Sequence, residues 1–293
     1  MLWTNYHSHC HFCDGKFEPE EYLKRAIDKN MIAYGFSSHA PLPFDAKWCI
    51  SEGDVGAYVE EVKRLRSSYA DHIQVYMGME VDFIPGVASP KAAKYVVKDL
   101  DYTIGSIHFV DRFDNGEPWE VDATYQTFKR GVDEIFGGNV RKAVTRYFAL
   151  TREMVETSRP DIVGHLDKIK IHNKDGQHFA EFSKWYQVEV LKTLDCIAGA
   201  GCIIEINTRG IYKGLTTKPY PSPWILEEIL KRKIPVTLNS DTHHPEDIIN
   251  SFGKTAYLLR ELGFKCLRVL LDNQWQDVEF DMDGLRLPQK AQV

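Results

Sequence analysis

The chain has 293 residues, with 36 Lys and Arg against 42 Asp and Glu and a formal net charge of −6. That length suits one large α/β barrel with a sizeable core. The mildly acidic balance argues against nucleic acid or an anionic membrane as the main partner.

No Gly/Ser tract, Pro-rich spacer, internal repeat or run of like charge divides the sequence, so a single domain over residues 1–293 is expected. No apolar run is long enough to span a bilayer, and the first residues lead straight into a strand. A cytoplasmic chain without a signal peptide is therefore expected. In chain order, short apolar runs predict strands over 2–6, 32–36, 73–77, 102–104, 162–163, 202–206 and 236–238, as strands buried on both faces should read. Between them, helical patterns cover 19–30, 54–69, 90–99, 123–158, 179–200 and 223–233. Several open on Pro or Asp, and one closes at Gly199-Ala200-Gly201. Seven strands alternating with helices predict a distorted (β/α)7 barrel of the TIM-like kind. In the tail over 264–293, one further strand is expected at 267–271.

Six of the seven strands end in a residue able to bind a metal: His7-Ser8-His9, His39, Glu80, His108, His165 and Asp241-Thr242-His243. In parallel barrels the C-terminal strand ends converge on one face, so donors distant in sequence can meet there. His-x-His alone is a weak signal. The Asp-Thr-His at the last strand repeats its geometry with a carboxylate in place of one imidazole, which makes chance placement hard to credit. Neutral imidazole with carboxylate suits Zn, Mn or Fe. The six cysteines are scattered and read as reduced, with Cys10 and Cys13 read as small buried hydrophobes rather than ligands.

These motifs resemble those of the polymerase-and-histidinol-phosphatase (PHP) superfamily. His7-Ser8-His9 with Asp14-Gly15 looks like its first motif, Ser38-His39 its second and Gly78-Met79-Glu80-Val81-Asp82 its third. Ser106-Ile107-His108, Gly164-His165 and Ser240-Asp241-Thr242-His243 look like the later ones. The size and the segment Asn207-Thr208-Arg209-Gly210 are most similar to the stand-alone histidinol-phosphate phosphatases of histidine biosynthesis. The resemblance implies two or three divalent transition metal ions. One ion falls to His7, His9, Glu80 and Asp241, a second to Glu80, His108 and His165, and a third to Asp14, His39 and His243. It also implies hydrolysis of a small phosphomonoester by hydroxide bridging two ions, with Arg209 on the phosphate. Arg159 is a further phosphate candidate through the resemblance. Asp241, His243 or a water are candidates to protonate the leaving alkoxide.

Two rivals stand beside that expectation: a nuclease or nucleotide phosphatase of the same superfamily, and a non-enzymatic metal-binding regulatory subunit. Of the remaining residues, His72, His172 and His178 read as solvated, and His11 and His244 as supports for neighbouring ligands. Asp82 reads as a rim cap or ligand and Asp167-Lys168 as an ion pair. Asn207 reads as orienting the leaving group or satisfying backbone, and Asp45, Trp48 and Tyr212 as mouth residues for a substrate cation. Oligomeric state is not readable from these residues.

Overall fold

The computed structural model describes residues 2–287. Seven parallel strands follow one another around a barrel in chain order: β1 (Thr4–Asn5), β2 (Ala33–Phe36), β3 (Gln74–Asp82), β4 (Tyr102–Ser106), β5 (Ile162–Val163), β6 (Ile203–Asn207) and β7 (Val236–Asn239). The ends of the sheet meet beyond the strands proper. Ser8 bridges Thr242, with His9 N donating to Thr242 O at 2.8 Å and Thr242 N to His7 O at 3.3 Å. Closure is thus made by the two segments that carry the His-x-His and Asp-x-His pairs, and this brings the first and last motifs together. The fold is the distorted (β/α)7 barrel.

Helices Pro19–Asp28, Val55–Ser68, Pro90–Val96, Lys184–Ala200 and Pro223–Lys231 lie between strands as expected. The long expected helix over 123–158 is two, Tyr125–Phe136 and Val140–Ser158. Gly137 and Gly138 sit at φ 60° and 76°, a left-handed backbone that ends the first helix, and the Asn139 side chain caps the second by accepting from Lys142 N. Elements not foreseen include helices Arg209–Tyr212 and Phe252–Leu262, the hairpin Phe109–Arg112 with Pro118–Glu120, and antiparallel partners for the tail strand. The expected strand over 267–271 is Cys266–Leu271, and it pairs with Gln274–Asp281.

That tail plugs the N-terminal end of the barrel. Tyr6 Oη donates to Leu270 O at 2.8 Å and accepts from Leu270 N at 2.9 Å, and Gln74 Nε2 donates to Asp272 Oδ1 at 3.0 Å. Trp275 packs edge-on to Tyr6 and Tyr102. The Tyr102 ring fills the interior, its hydroxyl donating to Tyr6 O at 2.6 Å. Gly78 and Gly35 make room for it, since a Cβ there would lie 2.4 Å from Tyr102 Cζ and 2.3 Å from its Oη, respectively. One contiguous apolar core runs through the described residues. No helix among them is long and apolar enough to cross a membrane.

Candidate metal centre

Glu80 lies near the end of β3, the longest barrel strand, where Glu80 N pairs with Ser37 O across the rim. Its carboxylate is the hub of the C-terminal face. Oε2 lies 3.0 Å from His7 Nε2, 3.2 Å from His39 Nδ1 and 3.4 Å from His9 Nε2, and Oε1 lies 2.9 Å from His165 Nε2 and 3.7 Å from His108 Nε2. Ser106 Oγ donates to Oε1 at 2.6 Å. Asp241 Oδ1 stands 3.4 Å from His9 Nε2 and 3.8 Å from His7 Nε2. Asp14, on the loop after β1, reaches His243 Nε2 at 3.0 Å, His9 Nδ1 at 3.8 Å and His39 Nε2 at 3.9 Å.

The nine expected donor residues therefore converge on one rim. Their donor atoms group within 4.8 Å of one another as His7, His9 and Asp241; as His39, Glu80 and His108; and as His9, Asp14, His39 and His243. The grouping differs from the partition implied by resemblance, because His39 joins Glu80 and His108 where His165 was expected. Backbone shape explains how both members of the last pair turn inward. Asp241 has φ 53°, a left-handed conformation Asp tolerates, and its carbonyl is held by Arg209 Nη1 at 2.8 Å and Tyr212 Oη at 3.1 Å.

The donor chemistry fits divalent transition metals. His9 Nε2, His39 Nδ1 and His165 Nδ1 are buried without a hydrogen-bond partner, a costly state for isolated polar atoms. Burial, joined by the charge of His243, lowers His9 to about 4. Burial lowers His39 to about 4 as well, so both are neutral and free to ligate at pH 7. Burial works against ionisation of Glu80 and Asp241, yet His7, joined at Glu80 by the other imidazoles around it and at Asp241 by Arg209, holds both well below the carboxylate range. In the metal-free chain His7 and His108 carry the compensating charge, and each gives up that proton to ligate an ion. Despite burial, Glu205 and Glu80 raise His7 well above its ordinary value, and Asp82 and Asp122 raise His108 to about 10.

A supporting layer orients these rings. Glu205 Oε1 lies 2.6 Å from His7 Nδ1, its Oε2 accepts from His165 N at 2.8 Å, and Asn207 and Asn239 donate to the same carboxylate. Glu205 was passed over in the sequence, although a charge inside the buried run Ile203-Ile204-Glu205-Ile206 was a usable signal. Asp82 is 3.0 Å from His108 Nδ1 and so supports a donor. Asn207 Nδ2 donates to Asp241 Oδ2 at 3.1 Å.

The centre opens into a cavity of about 250 Å³ lined by Asp14, Trp48, Glu80, His108, Lys168, Arg209, Asp241 and His243, among others. Arg209 Nη1 contacts His243 Nδ1 and lies 3.7 Å from Asp241 Oδ1. Several expectations are corrected here. Arg159 is exposed, caps the helix before β5 and neighbours Cys202 at the opposite end of the barrel, because a residue preceding a strand faces the other rim. His11 pairs with Glu18 at 3.2 Å on the surface, and His244 Nδ1 accepts from Glu246 N in a local turn, so neither supports a donor. His172 and His178 pack among Tyr125 and Phe128 rather than standing in solvent. Asp167 pairs with Lys170 at 2.7 Å and Lys168 with Asp122 at 3.2 Å, not with each other. Of the three mouth residues, Trp48 lines the cavity, Asp45 is exposed away from it, and Tyr212 lies behind Asp241.

A parallel barrel that gathers imidazoles and carboxylates around one buried Glu at its C-terminal rim is the frame of a metal-dependent hydrolase. The chain belongs to the PHP domain family, whose pattern it matches over residues 5–209. Among its relatives, a Deinococcus radiodurans protein named "Probable histidinol-phosphatase" is 29% identical over 247 residues, covering 84% of this chain and 87% of the relative. The histidinol-phosphatase of Bacillus subtilis is 24% identical, covering 87% of this chain and 97% of the relative. The crystal structure of the Lactococcus lactis histidinol phosphate phosphatase with Zn, L-histidinol and phosphate superposes with a TM-score of 0.68. It is 20% identical and covers 98% of this chain and 100% of that one.

Proposed function

We propose that the chain hydrolyses L-histidinol phosphate to L-histidinol and phosphate, a step of histidine biosynthesis, in the cytoplasm. The observation that carries this reading is the Glu80-centred rim of nine donors opening, beside Arg209, into a cavity sized for a small phosphomonoester. Relatives of nearly the same length that carry the histidinol-phosphatase name support it. The six free cysteines suit a reducing compartment.

His7, His9, Asp14, His39, Glu80, His108, His165, Asp241 and His243 would hold two or three divalent ions of the Zn, Mn or Fe kind. Such ions, when bound, supply positive charge against phosphate oxygens and water made acidic enough to react near neutral pH. The chain's own groups do the rest. Arg209 presents a forked donor to the phosphoryl oxygens, for which a guanidinium is better shaped than an ammonium. Asp241 and His243, side by side with Nδ1 of the ring 3.7 Å from Oδ1, are the candidates to relay a proton from the attacking water to the departing alkoxide. Trp48 lies edge-on over His39 and His108 and narrows the access of bulk water.

The test is steady-state kinetics on histidinol phosphate, nucleotides and single-stranded DNA at matched metal content. A far higher kcat/KM for histidinol phosphate is expected. Equal efficiencies mean a broad phosphatase, and preference for a nucleic-acid end moves the protein to the nuclease branch. Fewer than one metal per active chain by elemental analysis sinks the multinuclear reading, and catalysis by a fully chelated protein does the same.

A further inference from the structure

Five carboxylates line the catalytic cavity, and four of them are engaged. Asp14 pairs with His243, Glu80 with the imidazole ring cluster, Asp241 with Arg209 and His9, and Asp122 with Lys168. Glu120 is the exception. Among the described residues its side chain makes neither a hydrogen bond nor an ion pair, although it is only partly exposed and faces the same space. A carboxylate drawn out of water with no bonded partner is destabilised, and burial together with the charge of Asp122 raises Glu120 to about 6 in spite of the opposing charges of His108 and Lys168. Such a group stays on a cavity wall at a cost unless a cation arrives to meet it.

Its position fixes where that cation would sit. Glu120 ends the second strand of the hairpin and pairs with Phe109, the residue after His108. Phe109 in turn stacks on Trp48 at 5.8 Å, so hairpin and loop are clamped together and the Glu120 corner of the cavity is held in shape. Arg209 belongs to a different corner, after β6, among Asp241 and His243. The cavity therefore carries a guanidinium on its β6 side, at Arg209, and an unpaired carboxylate on its hairpin side, at Glu120 near His108. Lys168, already tied to Asp122, keeps that second acid from competing for the incoming cation.

We infer that Glu120 is the specificity-determining carboxylate for the leaving group: it receives the primary ammonium of an aminoalkyl phosphate while Arg209 holds the phosphoryl group. This rests on the reading of the cavity as a histidinol-phosphate site and names the group that selects its substrate. An acceptor set on a cavity wall for an N–H donor rejects the analogue lacking it, because the acceptor is then left unpaired.

The test is kinetics of the metal-loaded full chain and its Glu120→Gln variant on matched pairs of esters: histidinol phosphate against the same molecule without the amine, and phosphoethanolamine against ethyl phosphate. For the parent, kcat/KM favours the amine-bearing member of each pair. In Glu120→Gln that preference falls about tenfold to a hundredfold, the size expected for one charge-assisted contact. Glu120→Lys inverts it. A preference that survives unchanged in both variants overturns the inference, as does an equal loss on both members of each pair, which marks a structural role. If the parent ignores histidinol phosphate, the functional reading fails by itself. The phosphoethanolamine pair then decides on Glu120 alone: collapse of the ratio in Glu120→Gln upholds its role, and a constant or absent amine preference overturns it.

Discussion

His7 Nδ1 lies 2.6 Å from Glu205 Oε1, and neither residue is exposed to solvent. This contact turns the other ring nitrogen of His7 toward Glu80 Oε2, so one buried carboxylate sets the tautomer and aim of a candidate metal donor. Glu205→Gln keeps the size of the group and removes its charge. Metal affinity should fall about 10–100-fold while the fold persists. Glu205→Ala goes further, leaving His165 N, Asn207 and Asn239 without their acceptor, and should cost about 3–5 kcal/mol of stability. Metal titration with thermal melting checks both, and a Glu205→Gln protein that binds metal like the parent removes the support role.

Metal and phosphate roles separate at two neighbouring residues. Asp241→Asn should lose bound metal and kcat together, because its carboxylate stands 3.4 Å from His9 Nε2 in the donor set. Arg209→Ala should keep its metal and lose about 10²–10³-fold in kcat/KM, the usual effect of removing one donor aimed at developing charge. Metal analysis and kinetics on the same samples are the check. Unchanged phosphate-ester kinetics in Arg209→Ala would return that residue to a role in holding Asp241.

The barrel strands and their terminal donors were legible because a strand buried on both faces leaves a short apolar run, and a polar residue at its end has only the rim to face. Glu205 left a signal only as a charge inside an apolar run, and its task depends on which ring stands across the barrel. Glu120 ends a hairpin inserted after β4 and Asp122 follows it, where no period marks the elements. Arg159 was a candidate through the resemblance alone, and chain direction already assigns a residue ahead of β5 to the far rim. The tail strand was legible, but its task depends on Tyr6 and Tyr102, more than 160 residues away in sequence.

The Asp122–Lys168 pair predicts a pH dependence. Burial opposes the Asp122 charge, but Lys168 and His108 hold it at about 2, below the ordinary value of 3.8. A depressed carboxylate stabilises the fold above its unfolded pKa and loses that contribution as pH falls through the folded one. Asp122→Asn lacks the contribution at every pH. Its deficit against the parent should be about 2 kcal/mol at neutral pH and should close between roughly pH 4 and pH 2. Urea unfolding of both proteins without metal, across that range, reads it directly, and a deficit independent of pH excludes the ion pair as its source.

The interior ring ties the core to the chemistry. Tyr102 is fully buried, and Gly78 stands two residues before Glu80 on β3, so anything that displaces the strand at Gly78 moves the hub of the donor set. In Gly78→Ala the new Cβ would lie 2.4 Å from Tyr102 Cζ, a distance that forces ring or strand to shift. Overpacking of this kind costs about 1–3 kcal/mol or more, and the displacement should lower metal affinity as well as melting temperature. Tyr102→Leu alone opens a cavity and loses the hydrogen bond to Tyr6 O, so it too destabilises. In the double variant the methyl occupies space the ring has left, and the two losses should fall short of their sum by about 1 kcal/mol or more, as for residues in direct contact. Melting temperature and metal content of the three variants test this. Strict additivity would mean that the ring does not fill the space beside Gly78, and that the position of Glu80 is set elsewhere in the barrel.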